Sequence, residues 1–359
     1  VIEQYTITTT PKYNFPQAKV NQTLPERFTE LSLNSLREVN NKITFLSPEL
    51  ESDDFPSNVF SSKIQLDKEA IQLSPKHQET TIYAVDTSTI KIGETKTGMV
   101  VAIRGSIVWK QNHRYHYNRL GPFIFHVTEE NKKIVYENLE RDCFNVKYGG
   151  KHQPAPTLFQ MPLRLANLLE RWLQASLSLK VNEGIVLFDG SLTAGTSDSP
   201  TQRMHELLQN ARKNNSVVLA FSKATSLRSN GLLITEIPNL KDPPYLLRTS
   251  GLRPKPPTTL LGDIYVARLS KSNLSFRLDI DHQLPIENHL EAVEKLIGND
   301  ALEQSYPETL RLAHILCTFT ATEVLAIQHF VARNHRIQII SRPDMHRLLF
   351  GPFGREGYD

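Results

Sequence analysis

"GIVLFDGSL", residues 184–192, runs a short apolar stretch into an aspartate and then a Gly-Ser turn; "TIYAVDTST", residues 81–89, does nearly the same earlier in the chain. A brief, fully apolar run bounded by turn residues reads as a strand buried on both faces, of the parallel type. Asp86 and Asp189 therefore each close a buried strand. The fold turns on whether those two strands are neighbours.

The segments around them answer this. Three strand-like runs, 81–88, 97–110 and 114–128, are rich in Val, Ile, Tyr and Phe and are joined by short connections, which implies an antiparallel meander. "MPLRLANLLERWLQASLSL", 161–179, places apolar residues at 163, 166, 169, 173 and 177 with Pro162 in the first turn, the pattern of a helix. After the 184–192 strand, 199–214 reads as a helix and "SVVLAFSKATS", 216–226, as another buried strand. Three antiparallel strands, then helix, strand, helix and strand, is the order of an RNase H-like α/β domain with a mixed sheet. A crossover through a helix returns the chain in the same direction, so the first strand and the post-helix strand lie side by side and parallel. Asp86 and Asp189 are then expected to end adjacent strands at one edge of the sheet.

Outside this block the chain is less informative. Residues 1–79 read as an N-terminal extension, with a helix over 24–43 and a polar, proline-bearing loop over 46–58. The proline-rich, basic stretch 242–260 reads as a long loop, 263–271 and 274–281 as a hairpin, 307–334 as two helices, and 336–340 as a closing strand, leaving 346–359 as a tail. The RNase H-like domain is thus expected over 80–345.

Composition bounds the partners. The chain of 359 residues is 39% hydrophobic and 22% charged, and its 41 basic residues nearly balance 38 acidic ones for a net charge of +3, so any basic surface is local. The two cysteines, Cys143 and Cys317, lack disulfide-framework or zinc-site spacing, which points to a reducing interior. No continuous apolar run approaches the length that spans a bilayer, and no targeting pattern opens the sequence, so a cytoplasmic location away from membranes is expected.

Two carboxylates brought together repel, and a hard divalent cation relieves that repulsion; Mg²⁺ or Mn²⁺ bound to oxygen donors activates water against phosphodiesters. Glu170, at the margin of its helix's apolar stripe, is the third candidate ligand, and His314, among apolar neighbours in "YPETLRLAHIL", the fourth. Lys223, just after a strand, is placed to meet a phosphate. Each also has a plainer reading: a turn aspartate, a solvated helix glutamate, a hydrogen-bonded core histidine, a surface lysine. "HRYHYNR", 113–119, interleaves cations and aromatics, as a nucleic-acid grip or as a strand with a solvated polar face.

Taken in order, "AVDTS", Glu170, "LFDGSL", "FSKATS", "DIYVARL", "FRLDI" and "YPETLRLAHI" resemble the NurA nucleases over roughly residues 80–345. The resemblance implies a Mn²⁺-activated (or Mg²⁺-activated) DNA nuclease that digests ends 5′ to 3′ and attacks single strands. It further implies a homodimer that docks on a HerA-type hexameric ATPase in end resection, repair or defence. Asp86, Glu170 and Asp189 match the metal-binding acids of the family, His314 its late histidine and Lys223 the lysine after the fifth core strand. One departure stands out: Thr87 occupies a position that is usually glycine, where a side chain is expected to crowd the turn. That departure keeps open a catalytically weakened DNA-binding or scaffold subunit of a motor complex. An actin-like ATPase, which shares the early strand order, lacks its second glycine-rich phosphate loop here.

Overall fold

The computed structural model describes residues 64–144, 156–236 and 241–335, apart from Lys68, Lys96 and Ser197, all within a compact unit spanning Ser52–Asp359. The helix expected over 24–43, the loop over 46–58 and the strand over 336–340 lie outside the described residues.

One ten-stranded mixed sheet organises the chain. Its strands are β1 (Gln65–Leu66), β2 (Ile71–Gln72), β3 (Ile82–Glu94), β4 (Gly98–Gln111), β5 (Arg114–Thr128), β6 (Ile185–Asp189), β7 (Val217–Ser222), β8 (Tyr245–Ser250), β9 (Gly262–Arg268) and β10 (Phe276–Asp281). They lie in the order β1-β8-β9-β10-β7-β6-β3-β4-β5, with β2 also paired to β8. β3, β4 and β5 form the antiparallel meander, β3 pairs β6 in parallel and β6 pairs β7 in parallel, so the RNase H-like arrangement read from the sequence is the one the chain adopts. The helices are α1 (Lys132–Phe144), α2 (Met161–Lys180), α3 (Thr201–Lys213), α4 (Ile286–Asn299), α5 (Glu308–Cys317) and α6 (Ala321–His335).

Alternation along the strands sorts their side chains between two layers. Val85, Val186, Phe188, Val218 and Ala220 pack against Leu173 and Leu177 of α2 and Leu207 and Leu208 of α3. Ile82, Ala84, Leu187, Leu219 and Phe221 point the other way, onto Val293 and Leu296 of α4 and Leu310 and Ala313 of α5. A fully buried side chain of this size contributes roughly 1.5–3 kcal/mol, so both layers are needed to hold the central strands.

Four readings change. Asp86 does not end its strand: β3 continues to Glu94, because the β-branched run 87–92 stays paired to β4 after the parallel pairing with β6 has stopped at Val85 and Phe188. The stretch 242–260 is not all loop. Tyr245–Ser250 is a strand paired to β9 on one side and to β1 and β2 on the other, its apolar residues screened in the sequence by the prolines around it. Helices α1 and α4 fall where no element was read, although α4 buries Ala292, Val293 and Leu296 on one stripe. Finally, Glu308–Asn334 is apolar enough, at a mean hydropathy of 1.5, to match a membrane-spanning helix in length and composition. Here it forms α5 and α6, broken at 318–320, which pack on the β3–β4 layer.

Candidate active site

The parallel register places the two aspartates. Val85 pairs with Phe188, so the next residues, Asp86 and Asp189, stand side by side on neighbouring strands. By alternation with Ala84 and Leu187 both face the α4–α5 layer. The pair that sequence reading brought together at one edge is therefore brought together, at the point where the parallel pairing stops.

α5 supplies the third group. His314 Nδ1 lies 2.7 Å from Asp86 Oδ2, with Asp86 buried and the imidazole about half exposed. With Asp86 ionised, Nδ1 carries the proton and donates it to the carboxylate, which leaves Nε2 as an acceptor. The helix is held in that pose by the strands beneath it. Ser106 Oγ donates to the Ala313 carbonyl at 2.5 Å and Ser88 Oγ to the Cys317 carbonyl at 2.7 Å, while Arg104 donates to the Thr318 carbonyl at 3.1 Å. The Cys317 and Thr318 carbonyls stand at the helix C-terminus without a partner inside it, so those two bonds cap it, while Ser106 docks it one turn further in. Arg104 also pairs with Glu323 at 2.9 Å, pulling that carboxyl down to about 2 and joining α6 to the same anchor.

Asp189 closes β6 and is bound by Lys223 Nζ at 2.6 Å, just past the end of β7. Burial pushes the Asp189 carboxyl above its ordinary range; Lys223 opposes that shift, and the neighbouring charge of Asp86 adds to it. The turn behind it is fixed from the other layer. Leu192 N–H donates to Asp279 Oδ2 at 3.0 Å, and Asp279 is gripped by Arg277 through two bonds of 2.7 Å.

Glu170 is not brought to this cluster. It stands on α2, which covers the opposite face of the sheet, and its Oε1 accepts a 2.8 Å bond from the buried Gln174. Thr87 also faces α2, donating from Oγ1 to the Ala166 carbonyl at 3.3 Å, so the residue in place of the usual glycine does not crowd the acid. In a continuous strand it turns away by alternation.

Two residues in the site had no sequence signal of their own. Cys317 is fully buried, and its Sγ forms a group with ligand atoms of Asp86 and His314 all within 4.8 Å of one another. Burial pushes its thiol well up, and the S–H is donated to the His314 carbonyl at 3.2 Å, so it serves as a protonated wall of the site. Tyr306 is buried against Phe221 and Phe276, and its hydroxyl finds no hydrogen-bond partner among the described residues. Burial and the charges of Asp189 and Asp86 both raise that hydroxyl's pKa, and the ring packs on Phe221, the register partner of Asp189. Its place eight residues before His314 in "YPETLRLAH" puts it two residues upstream of the same helix.

The donor set fits a hard divalent cation. Asp86 and His314 bring their ligand atoms together, Asp189 stands on the neighbouring strand at the next register position with Lys223 on it, and the thiol is withheld as S–H. Asp86, Asp189 and His314 are the residues that would hold such an ion.

No family model matches the chain, and no curated protein matches it. Among solved structures it is similar to the NurA nuclease from Sulfolobus solfataricus, at 14% identity and a TM-score of 0.43 over 88% of this chain and 96% of that one. It is also similar to a NurA bound to dAMP and manganese, at 10% identity and a TM-score of 0.36 over 90% and 98%. Endonuclease V from Bacillus subtilis aligns at 14% identity and a TM-score of 0.33 over 74% and 89%. These likenesses are loose in backbone and sequence, and the functional reading rests on the site itself.

Proposed function

We propose that this chain is a divalent-metal-dependent DNA nuclease of the NurA type, digesting ends 5′ to 3′ and cutting single strands as a homodimer fed by a HerA-type hexameric ATPase. The observation that carries the hydrolytic part is the adjacency of Asp86 and Asp189 on parallel strands, with His314 2.7 Å from Asp86. Mn²⁺ or Mg²⁺, when bound, supplies a Lewis acid that activates water and neutralises phosphate charge. Asp86 and Asp189 hold it. Asp86 also fixes the imidazole, so that His314 Nε2 is free to take a proton from water or to join the ligands. Lys223, paired to Asp189 and partly exposed, is placed to hold a non-bridging phosphate oxygen. The partner assignment and the polarity of digestion come from the sequence resemblance.

The full-length protein is expected to degrade linear DNA with Mn²⁺ and to be silent in EDTA; no cleavage with Mn²⁺ or Mg²⁺ on either single-stranded or duplex DNA overturns the reading. Mn²⁺ at neutral pH should also raise Tm. Because the Asp189 carboxyl is protonated more readily than an ordinary one, its burial penalty is present above its folded pKa and is relieved as pH falls. Protons then compete with the ion, so the Mn²⁺-induced rise in Tm shrinks on acidification, beginning at higher pH than for an ordinary carboxylate. Co-elution with a HerA-type hexamer and a dimeric mass test the assembly.

Tyr306→Phe separates chemistry from packing. Removing a buried hydroxyl without a partner leaves Tm unchanged or raises it, by up to roughly 1 kcal/mol of stability. Cleavage should fall by about 10- to 100-fold if the hydroxyl contacts what the carboxylates hold. Full activity in Tyr306→Phe would remove it from the site.

A further inference from the structure

From Gly98 to Thr128 the chain carries no Asp or Glu, while it carries Arg104, Lys110, Arg114 and Arg119 together with three histidines. In the fold this stretch is the β4–β5 hairpin, and β5 is the outermost strand of the sheet. From Gln111 to Arg119 every residue is exposed, on both faces. This differs from a strand with one solvated face, since neither side is covered.

Its side chains are arranged in two ladders. On the face that carries Asp86, the register rows Lys110–Tyr115, Val108–Tyr117 and Ser106–Arg119 set Tyr115, Tyr117 and Arg119 in one line, about 6.8 Å apart along the strand. Tyr117 is 62% exposed, and the Lys110 ammonium sits 5.0 Å from the centre of the Tyr115 ring. On the other face Trp109 and His116 stack at 5.4 Å with their rings 18° apart. Arg114 makes no ion pair among the described residues. Arg119 shares a row with Ser106 and Asp86, which places it about 10 Å across the sheet from the acid.

We infer that the β4–β5 hairpin is a grip for single-stranded nucleic acid, with bases stacking on Tyr117 and its neighbours and phosphates meeting Arg114 and Lys110. The reading deepens the proposed nuclease by naming where its substrate is held. Charge selects the occupant: the hairpin itself carries no acid, and although Glu323 pairs with Arg119 and Asp300 accepts from the Tyr115 hydroxyl, Lys110 and Arg114 are left to meet a polyanion. A second copy pairing edge to edge would set this surface against its own like charges about a two-fold axis, which opposes association. Open aromatic faces select single strands, because a duplex keeps its base faces stacked internally.

The test is fluorescence anisotropy of labelled oligo-dT and of a duplex of equal length, in EDTA, so that binding is read without cleavage. Tyr117→Ala should weaken oligo-dT binding about tenfold. Arg114→Ala should weaken it and reduce the slope of log K against log salt by about 0.7. Lys213→Ala, an exposed cation at the end of α3, should leave both as in the wild type. Equal affinity in the hairpin variants overturns the inference, as does a variant that loses dimer mass in solution while binding oligo-dT normally, which would make the strand a protein interface. Binding lost in the hairpin variants of a protein that never cleaves would keep the grip and remove the nuclease; cleavage and binding that both survive them would do the reverse.

Discussion

Asp86→Asn should lower Mn²⁺-dependent cleavage by roughly a thousandfold or more, since one substitution removes a negative ligand and exchanges the charged acceptor of an imidazole for a neutral amide. The asparagine keeps nearly the same volume in a buried position, so Tm of the metal-free protein is expected to change little. It should even rise slightly, because the repulsion between the two aspartates disappears. The stabilisation by Mn²⁺ should vanish together with activity. A variant that retains wild-type cleavage would dissolve the site, since Asp189 alone, paired to Lys223, would then have to hold the ion.

Asp279→Ala is expected to cost about 3–5 kcal/mol of stability, the range for breaking a buried ion pair and leaving one partner alone. Asp279 is fully buried and Arg277 nearly so, and their two bonds of 2.7 Å are supplemented by the Leu192 amide. The substitution strands a guanidinium and frees the turn that follows Asp189. Chemical denaturation measures the loss. An Arg277→Met/Asp279→Leu double variant should recover much of it, since two apolar groups leave no charge behind. If the single variant lost under 1 kcal/mol, the pair would not be the anchor of that turn.

The central architecture was legible because it rests on periodicity. Uninterrupted apolar runs at 82–85 and 185–188 and an intervening helix fix a parallel pair, and with it the adjacency of Asp86 and Asp189. What was not legible depends on which way side chains turn. Glu170 lies on a recognisable helix, yet the stripe that helix buries centres on Leu165, Ala166, Leu173 and Leu177, with Leu163 exposed, so the carboxylate aims elsewhere than its position on the wheel implied. Tyr306 and Cys317 enter the site through the docking of α5, which depends on serine hydroxyls of β3 and β4 that carry no hydrophobic signal. Strand β8 was hidden by flanking prolines that mark its ends without interrupting it.

The uninterrupted course of β3 through Asp86 ties reactivity to folding fidelity. Slipping that strand by a single residue against its neighbours would present Val85 or Thr87 to His314 and drive the acid into the oily layer beneath α2. A misaligned molecule would thus be wholly inert rather than sluggish or indiscriminate.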